Sequence, residues 1–283
     1  MKGTRGSSRW CIAIAMGACV WFASCFGAQA SDIRVTRDVV WASQAGVSLK
    51  ADIYQPRVLV GARPGVLMVH GGGWTAGVRQ ELDFFVRLLA HEGWVAISIG
   101  YRLIAPGSGD GDIPLADVRA ALQALVQHAP SLGVDTRHLA ILGGSAGGHL
   151  AAMVAADRPS PLQAAVILWG PTDLTLPFDT LTPSQQGMLT TLLGSHYTLE
   201  RAQQASPAWQ VGPGSAPHWL LMHGTQDALV PVAQSRAFAE RLRQQGLDAQ
   251  YLELPGEGHG LQSPAAQHHA ATTLLAFLHR VFD

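Results

Sequence analysis

Leu139-Ala140-Ile141-Leu142-Gly143-Gly144-Ser145-Ala146-Gly147-Gly148-His149-Leu150-Ala151 is the stretch that decides the reading of this chain. Its first four residues form an apolar run of strand length, and its last six open an Ala-rich segment with helical character. Between them stands G-x-S-x-G, with Ser145 flanked by glycines two positions before and two after. A serine on so tight a strand-to-helix turn needs neighbours without side chains, and it presents its hydroxyl at the strand end. The following helix aims unpaired amides and its positive dipole end at charge developing beside that hydroxyl. The pattern alone is weak, because 31 glycines in 283 residues supply chance matches. The strand before it and the helix after it give it weight.

Outward from this point the chain alternates strands and helices. Ile33–Val40 and Val47–Tyr54 alternate in polarity and read as early, antiparallel strands. The runs 65–70, 94–99, 139–142, 164–169 and 218–222 are continuously apolar, as strands buried on both faces are. Helices are expected near 82–91, 113–128, 146–156, 232–245 and 264–282, with a last strand at 249–254. That order predicts an α/β domain with a mostly parallel central sheet and helices on both faces. Ligands of such sheets sit beyond the carboxyl ends of the strands. Residues 171–217 break the rhythm with Pro177, Pro183, Pro207 and Pro213 and two short helical runs. They read as a short insertion after the sixth strand, over the active site, within one domain spanning 31–283.

Composition narrows the function. The chain is 48% hydrophobic and 14% charged, with a net charge of −1 and no Lys/Arg block, which disfavours a binder of nucleic acid or of anionic membrane. Lys2, Arg5 and Arg9 precede an apolar stretch from Trp10 to Phe26, and Ala28-Gln29-Ala30 offers a small-x-small cleavage site. This is the plan of a secretory signal peptide, 1–30, and the apolar stretch is short for a membrane span. The expectation is therefore an exported protein, periplasmic or secreted, with lipidation at Cys25 as the alternative and no integral membrane segment in the mature chain. All three cysteines, Cys11, Cys19 and Cys25, lie in this leader, so the remainder has no disulfide, no thiol nucleophile and no thiolate metal site. No metal-binding spacing and no dinucleotide fingerprint occurs, so neither a metal nor a cofactor is expected.

A second constellation, His70-Gly71-Gly72-Gly73-Trp74, follows the apolar run 66–69. Three glycines leave backbone amides uncovered, which suits stabilisation of an oxyanion. A phosphate-cradling loop would need a following Gly-Lys-Ser/Thr, and none is present. His70 reads as a brace for this loop.

With both motifs, the chain resembles the α/β-hydrolase superfamily. Within it, the likeness is to secreted esterases and lipases with an HGGGW loop: bifunctional acetylxylan/feruloyl esterases and hormone-sensitive-lipase-like carboxylesterases. The likeness runs from about Val47 to the C-terminus and includes Tyr101-Arg102-Leu103, His223-Gly224-Thr225-Gln226-Asp227 and Gly256-Glu257-Gly258-His259-Gly260. It implies the α/β-hydrolase fold and the chain order serine, acid, histidine. Among the histidines after Ser145, His149 sits on the serine's own helix, His196 in the insertion and His218 beside a buried strand. His268, His269 and His279 fall in the final helix, and His223 reads as packing or loop bracing. His259, in a Gly-flanked loop after the last strand, is the candidate base. The resemblance places the acid at Asp227; Asp173, one strand earlier, is the alternative. Asp248 and Glu257 read as surface charges.

The resulting expectation is a serine carboxylesterase working through an acyl-enzyme, with Ser145 as nucleophile, His259 as base and Asp227 as acid. The amides of Ala146, Gly72 and Gly73 (or Trp74) would bind the oxyanion. Trp74 and Trp169 are candidate walls for a short-chain ester, free or linked to polysaccharide. A prolyl-oligopeptidase-type serine peptidase and a non-catalytic binding protein on the same fold are the rival readings.

Overall fold

The computed structural model describes residues 32–195 and 197–283. The proposed leader, with Cys25, and His196 therefore lie outside the described residues. The chain enters as a long hairpin, β1 (Ile33–Gln44) and β2 (Val47–Pro56), followed by β3 (Arg63–Val69), α1 (Asp83–His91) and β4 (Val95–Ile99). Next come α2 (Asp112–Leu132), β5 (Val134–Gly144), α3 (Ala146–Ala156) and β6 (Ala164–Leu168). The insertion carries α4 (Pro183–Leu193), α5 (Leu199–Gln204) and α6 (Pro207–Gln210). The chain ends with β7 (His218–Gly224), α7 (Ala233–Gln244), β8 (Asp248–Leu254) and α8 (Pro264–Phe282).

One eight-stranded sheet runs in the order β1-β2-β4-β3-β5-β6-β7-β8. The pairs β1/β2 and β2/β4 are antiparallel, and the remaining five pairs are parallel. The apolar runs explain this directly, since successive side chains of a strand point to opposite faces. Leu67, Val69, Leu139, Ile141, Ile167, Trp219 and Leu221 enter one core, under α2, α3 and α7. Val66, Met68, Leu142, Val166, Leu168, Leu220 and Met222 enter the other, under α1 and α8. This is the α/β-hydrolase architecture, with a parallel core and an antiparallel margin.

Two strands run longer than their sequence patterns predict. β1 continues to Gln44 through two register shifts, where Asp38 takes φ 57°. β5 begins at Val134 because Arg63 of β3 reaches that far before the pairing slips. Bulged and polar strand ends do not alternate, so the pattern hides them.

The insertion is bound to the body at several points. Gly109 and Gly111 donate their amides to Thr191 and Leu192 carbonyls, and Leu189, Leu192 and Leu193 enter the first core. Thr182 caps α4 reciprocally with Gln185. Among the described residues, no helix is long and apolar enough to cross a membrane.

Candidate active site

Loops at the carboxyl ends of five strands, β3, β5, β6, β7 and β8, converge on one cleft of about 390 Å³. Ser145 stands at the turn from β5 into α3 with φ 54° and ψ −123°, a backbone geometry that a non-glycine residue adopts only when its surroundings enforce it. The enforcement is visible in the glycines. A Cβ at Gly143 would lie 2.2 Å from the Gly147 carbonyl oxygen, and one at Gly147 would lie 2.2 Å from the Val69 oxygen. The two glycines let the elbow close on itself and on β3. The Ser145 amide donates to the Leu168 carbonyl at 2.9 Å, which ties the turn to β6.

The structure brings Ser145, His259 and Asp227 into a line. His259 Nε2 lies 2.8 Å from Ser145 Oγ, and its Nδ1 lies 2.7 Å from Asp227 Oδ2. A carboxylate only accepts hydrogen bonds, so Nδ1 carries the ring proton and Nε2 presents its lone pair to the serine hydroxyl. Asp227 has a fully buried side chain, which by itself would raise its pKa. Hydrogen bonds from His223, His259 and the Val230 amide outweigh that burial and hold the carboxyl well below the usual range. Its other oxygen accepts the amides of Leu229 and Val230, each at 2.9 Å. Asp227 is therefore a fixed, ionised acceptor.

The glycine loop is braced from beneath. His70 is buried, stacks on Tyr101 with centroids 4.2 Å apart, and donates Nδ1–H to the Gly71 carbonyl at 2.9 Å. Burial lowers the His70 pKa, which keeps the ring neutral. Tyr101 donates its hydroxyl to the same short segment at the His70 and Gly71 carbonyls. Glu81 accepts the Gly71 amide. Above this brace, the amides of Gly72, Gly73 and Ala146 have no acceptor among the described residues. Gly72 and Gly73 line the cleft beside Ser145.

The two tryptophans part company. Trp169 lines the cleft, with its ring centroid 6.5 Å from that of His259. Trp74, the other expected pocket wall, stands in the neighbouring pocket and not in the cleft at the serine. Positive φ at Gly72, Gly73 and Trp74 turns the chain so that the indole, 2% exposed, packs edge-on against His149. It borders an adjoining apolar pocket of about 50 Å³ formed with Leu174, Met188, Leu229 and Val230. Leu229 borders both spaces.

Asp173 spends its Oδ1 on the amide and hydroxyl of Thr175, as a local turn, and does not meet His259. His149 is buried, gives Nε2 to the Ala205 carbonyl at 2.7 Å, and has its pKa pushed down to about 4 by desolvation. Asp248 pairs with His218 and Arg280 near the surface. Glu257 is not a surface charge. It is 7% exposed and accepts the amides of Gln262 and Ser263 and the Ser263 hydroxyl, holding the chain between His259 and α8. His223 reaches further than a brace: its Nε2 lies 3.2 Å from Asp227 Oδ2. The signal was present in the four-residue spacing of H-G-x-x-D, which does not say which way the ring points. Among the described residues, no group of three or more His, Cys, Asp or Glu side chains is arranged to hold a metal ion.

The chain is similar to known ester hydrolases over most of its length. The BD-FAE family model matches residues 51–242. The chain is 32% identical over 243 residues to "Probable carboxylic ester hydrolase LipM" of Mycobacterium tuberculosis, across 79% of this chain and 56% of that protein. It is 32% identical over 241 residues to "Esterase LipC" of the same organism, across 77% of this chain and 58% of that one. It thus spans a little over half the length of these curated relatives. Among solved structures, the propionate-bound thermophilic esterase Est2 of Thermogutta terrifontis matches at TM-score 0.71 and 25% identity, covering 90% of this chain and 96% of that one. A truncated carbohydrate esterase from gut microbiota shares the fold at TM-score 0.74 and 22% identity, covering 87% and 96%.

Proposed function

Because the chain belongs to the BD-FAE family of α/β hydrolases, we propose that it is an exported serine carboxylesterase acting on short-chain acyl esters through an acyl-enzyme. The observation that carries this reading is the unbroken line Asp227–His259–Ser145, with contacts of 2.7 and 2.8 Å, beside uncovered amides. In the first half-reaction Ser145 Oγ attacks the ester carbonyl carbon while its proton passes to His259 Nε2. Asp227 stabilises the imidazolium that forms and fixes its tautomer. The carbonyl oxygen, now negative, accepts from the amides of Ala146, Gly72 and Gly73, each such donor contributing about 3 kcal/mol to the transition state. His259 then returns the proton to the departing alcohol oxygen and the C–O bond breaks, leaving Ser145 acylated. Water gives a proton to His259 as it attacks the acyl carbon, and His259 returns that proton to Ser145 Oγ as the acyl C–O bond breaks, releasing the acid.

Short chains are favoured by the dimensions. Past Leu229 lies an apolar pocket of about 50 Å³ under the insertion, too small for a long acyl chain, while on the Gly73 side the cleft meets a wider, open space. The propionate- and butyrate-bound forms of the Thermogutta esterase support the same size class. Acetyl or feruloyl groups on plant polysaccharide are the substrates suggested by the resemblance to bifunctional acetylxylan/feruloyl esterases. Export rests on the basic-apolar-small order of residues 1–30.

An acyl-length series of p-nitrophenyl esters, run beside acetylated xylan and an aminoacyl p-nitroanilide, tests the proposal. Hydrolysis should peak between acetate and butyrate, with no turnover of the anilide. Ser145→Ala should lower kcat by about 10⁴-fold or more. Preferential anilide cleavage would favour the peptidase reading, and full esterase activity in Ser145→Ala would refute the assignment of the nucleophile.

A further inference from the structure

The acid of this site is held by two histidines, and the mechanism above uses one. His223 closes β7, is fully buried, and points Nε2 at both Asp227 Oδ2 (3.2 Å) and the Val230 carbonyl (2.9 Å). Two acceptors on one ring nitrogen place the proton there. Nδ1 then faces the hydroxyl of buried Ser235 on α7, 2.7 Å away, which donates to it. The hydrogen-bonded chain thus runs Ser235–His223–Asp227–His259–Ser145.

We infer that His223 is a positioning residue: it holds Asp227 Oδ2 in place while the charge on His259 changes through the reaction. This inference rests on the esterase reading. Oδ1 is fixed by two backbone amides in its own turn. Among the described residues, Oδ2 meets only side chains, those of His259 and His223. His259 must reorient slightly between taking the serine proton and delivering it to the alcohol, so it cannot also be the anchor of its own acceptor. His223 can, because β7 holds its backbone and Ser235 its far nitrogen. It also joins Asp227 to Val230 across the turn, so one N–H keeps the carboxylate and its supporting loop in register.

Three proteins measured with p-nitrophenyl acetate test this: wild type, His223→Phe and His223→Gln. The phenyl ring fills the space without a donor, and the glutamine amide restores one. Misplacing a catalytic group by about 1 Å costs up to about 100-fold, so His223→Phe should lose about tenfold to 100-fold in kcat. Its KM should stay within about twofold, because the substrate contacts remain. His223→Gln should regain most of the loss. The low-field proton resonance of His259 Nδ1–H should broaden or shift in the phenylalanine variant and return in the glutamine variant. A phenylalanine variant with wild-type kcat would overturn the inference. Equal loss in both variants with the resonance intact would also overturn it, since that outcome describes packing alone. Should His223→Phe not fold, Ser235→Ala leaves the ring in place. It should lower kcat several-fold at unchanged KM, and an unchanged kcat would count against the inference. Absence of ester hydrolysis in the wild type would instead contradict the proposed function, and the resonance would still report on the anchoring of Asp227.

Discussion

Ser145 sits in a backbone conformation that only close packing sustains, and the packing is made possible by absent side chains. Gly147→Ala places a methyl 2.2 Å from one carbonyl oxygen and 2.3 Å from a second. Overpacking of this kind costs about 1–3 kcal/mol. Denaturant unfolding should show a loss at the upper end of that range, together with loss of esterase activity from displacement of the hydroxyl. His149 makes a different prediction. Its pKa in the folded protein is pushed down from 6.5 to about 4 by burial. Between those two values the unfolded chain binds the proton and the folded one does not, so stability falls as pH drops through that window. The fall attributable to this ring is about 3 kcal/mol. His149→Gln, which keeps a donor for the Ala205 carbonyl and does not titrate, should flatten the decline in melting temperature between pH 6.5 and 4. An equally steep decline in that variant would show that other groups carry it.

At the scale of elements, the site is built by five strand-end loops, and the insertion is set over it by Gln234 at the start of α7. Its side-chain oxygen accepts the amides of Thr172 and Asp173 at 2.9 and 2.7 Å, and its amide donates to the Asp173 carbonyl at 2.8 Å. Gln234→Ala leaves three backbone groups without these partners, a loss of about 3 kcal/mol at the usual value of about 1 kcal/mol per bond. Because the insertion forms the pocket beside Leu229 and the catalytic line does not run through it, KM for propionyl and butyryl esters should rise. The value of kcat for acetyl esters should hold. A fall in kcat alone would mean that the insertion also orders the catalytic loops.

Buried parallel strands announce themselves by continuous apolar runs, and α1, α3, α7 and α8 begin and end within a residue of where periodicity places them, whereas α2 runs four residues beyond the expected end at 128 and α6 has no periodic signal of its own. The nucleophile and the glycine loop are local motifs, so their positions follow from the strands before them. Side-chain direction is not local. Trp74 turns under the insertion because three successive residues take positive φ, and Glu257 turns inward to serve the amides ahead of α8. His223 faces the acid because β7 ends in register with the turn that carries Asp227. Each of these depends on loops from distant parts of the chain, and no spacing records it.

Over the whole molecule, two apolar layers on either face of one sheet supply stability without a disulfide, as residues 31–283 contain no cysteine. Protein recovered after export should begin at Ser31 by intact mass, and its melting temperature should be unchanged by a thiol reductant. A retained leader would contradict the proposed processing. The central claim concerns how the fold joins β5, β7 and β8 at one hydroxyl. Its most direct test is mass spectrometry after treatment with an organophosphonate. The account predicts one covalent adduct, on the peptide containing Ser145, formed much more slowly in His259→Ala. No adduct at Ser145, or labelling at the same rate without His259, would contradict it.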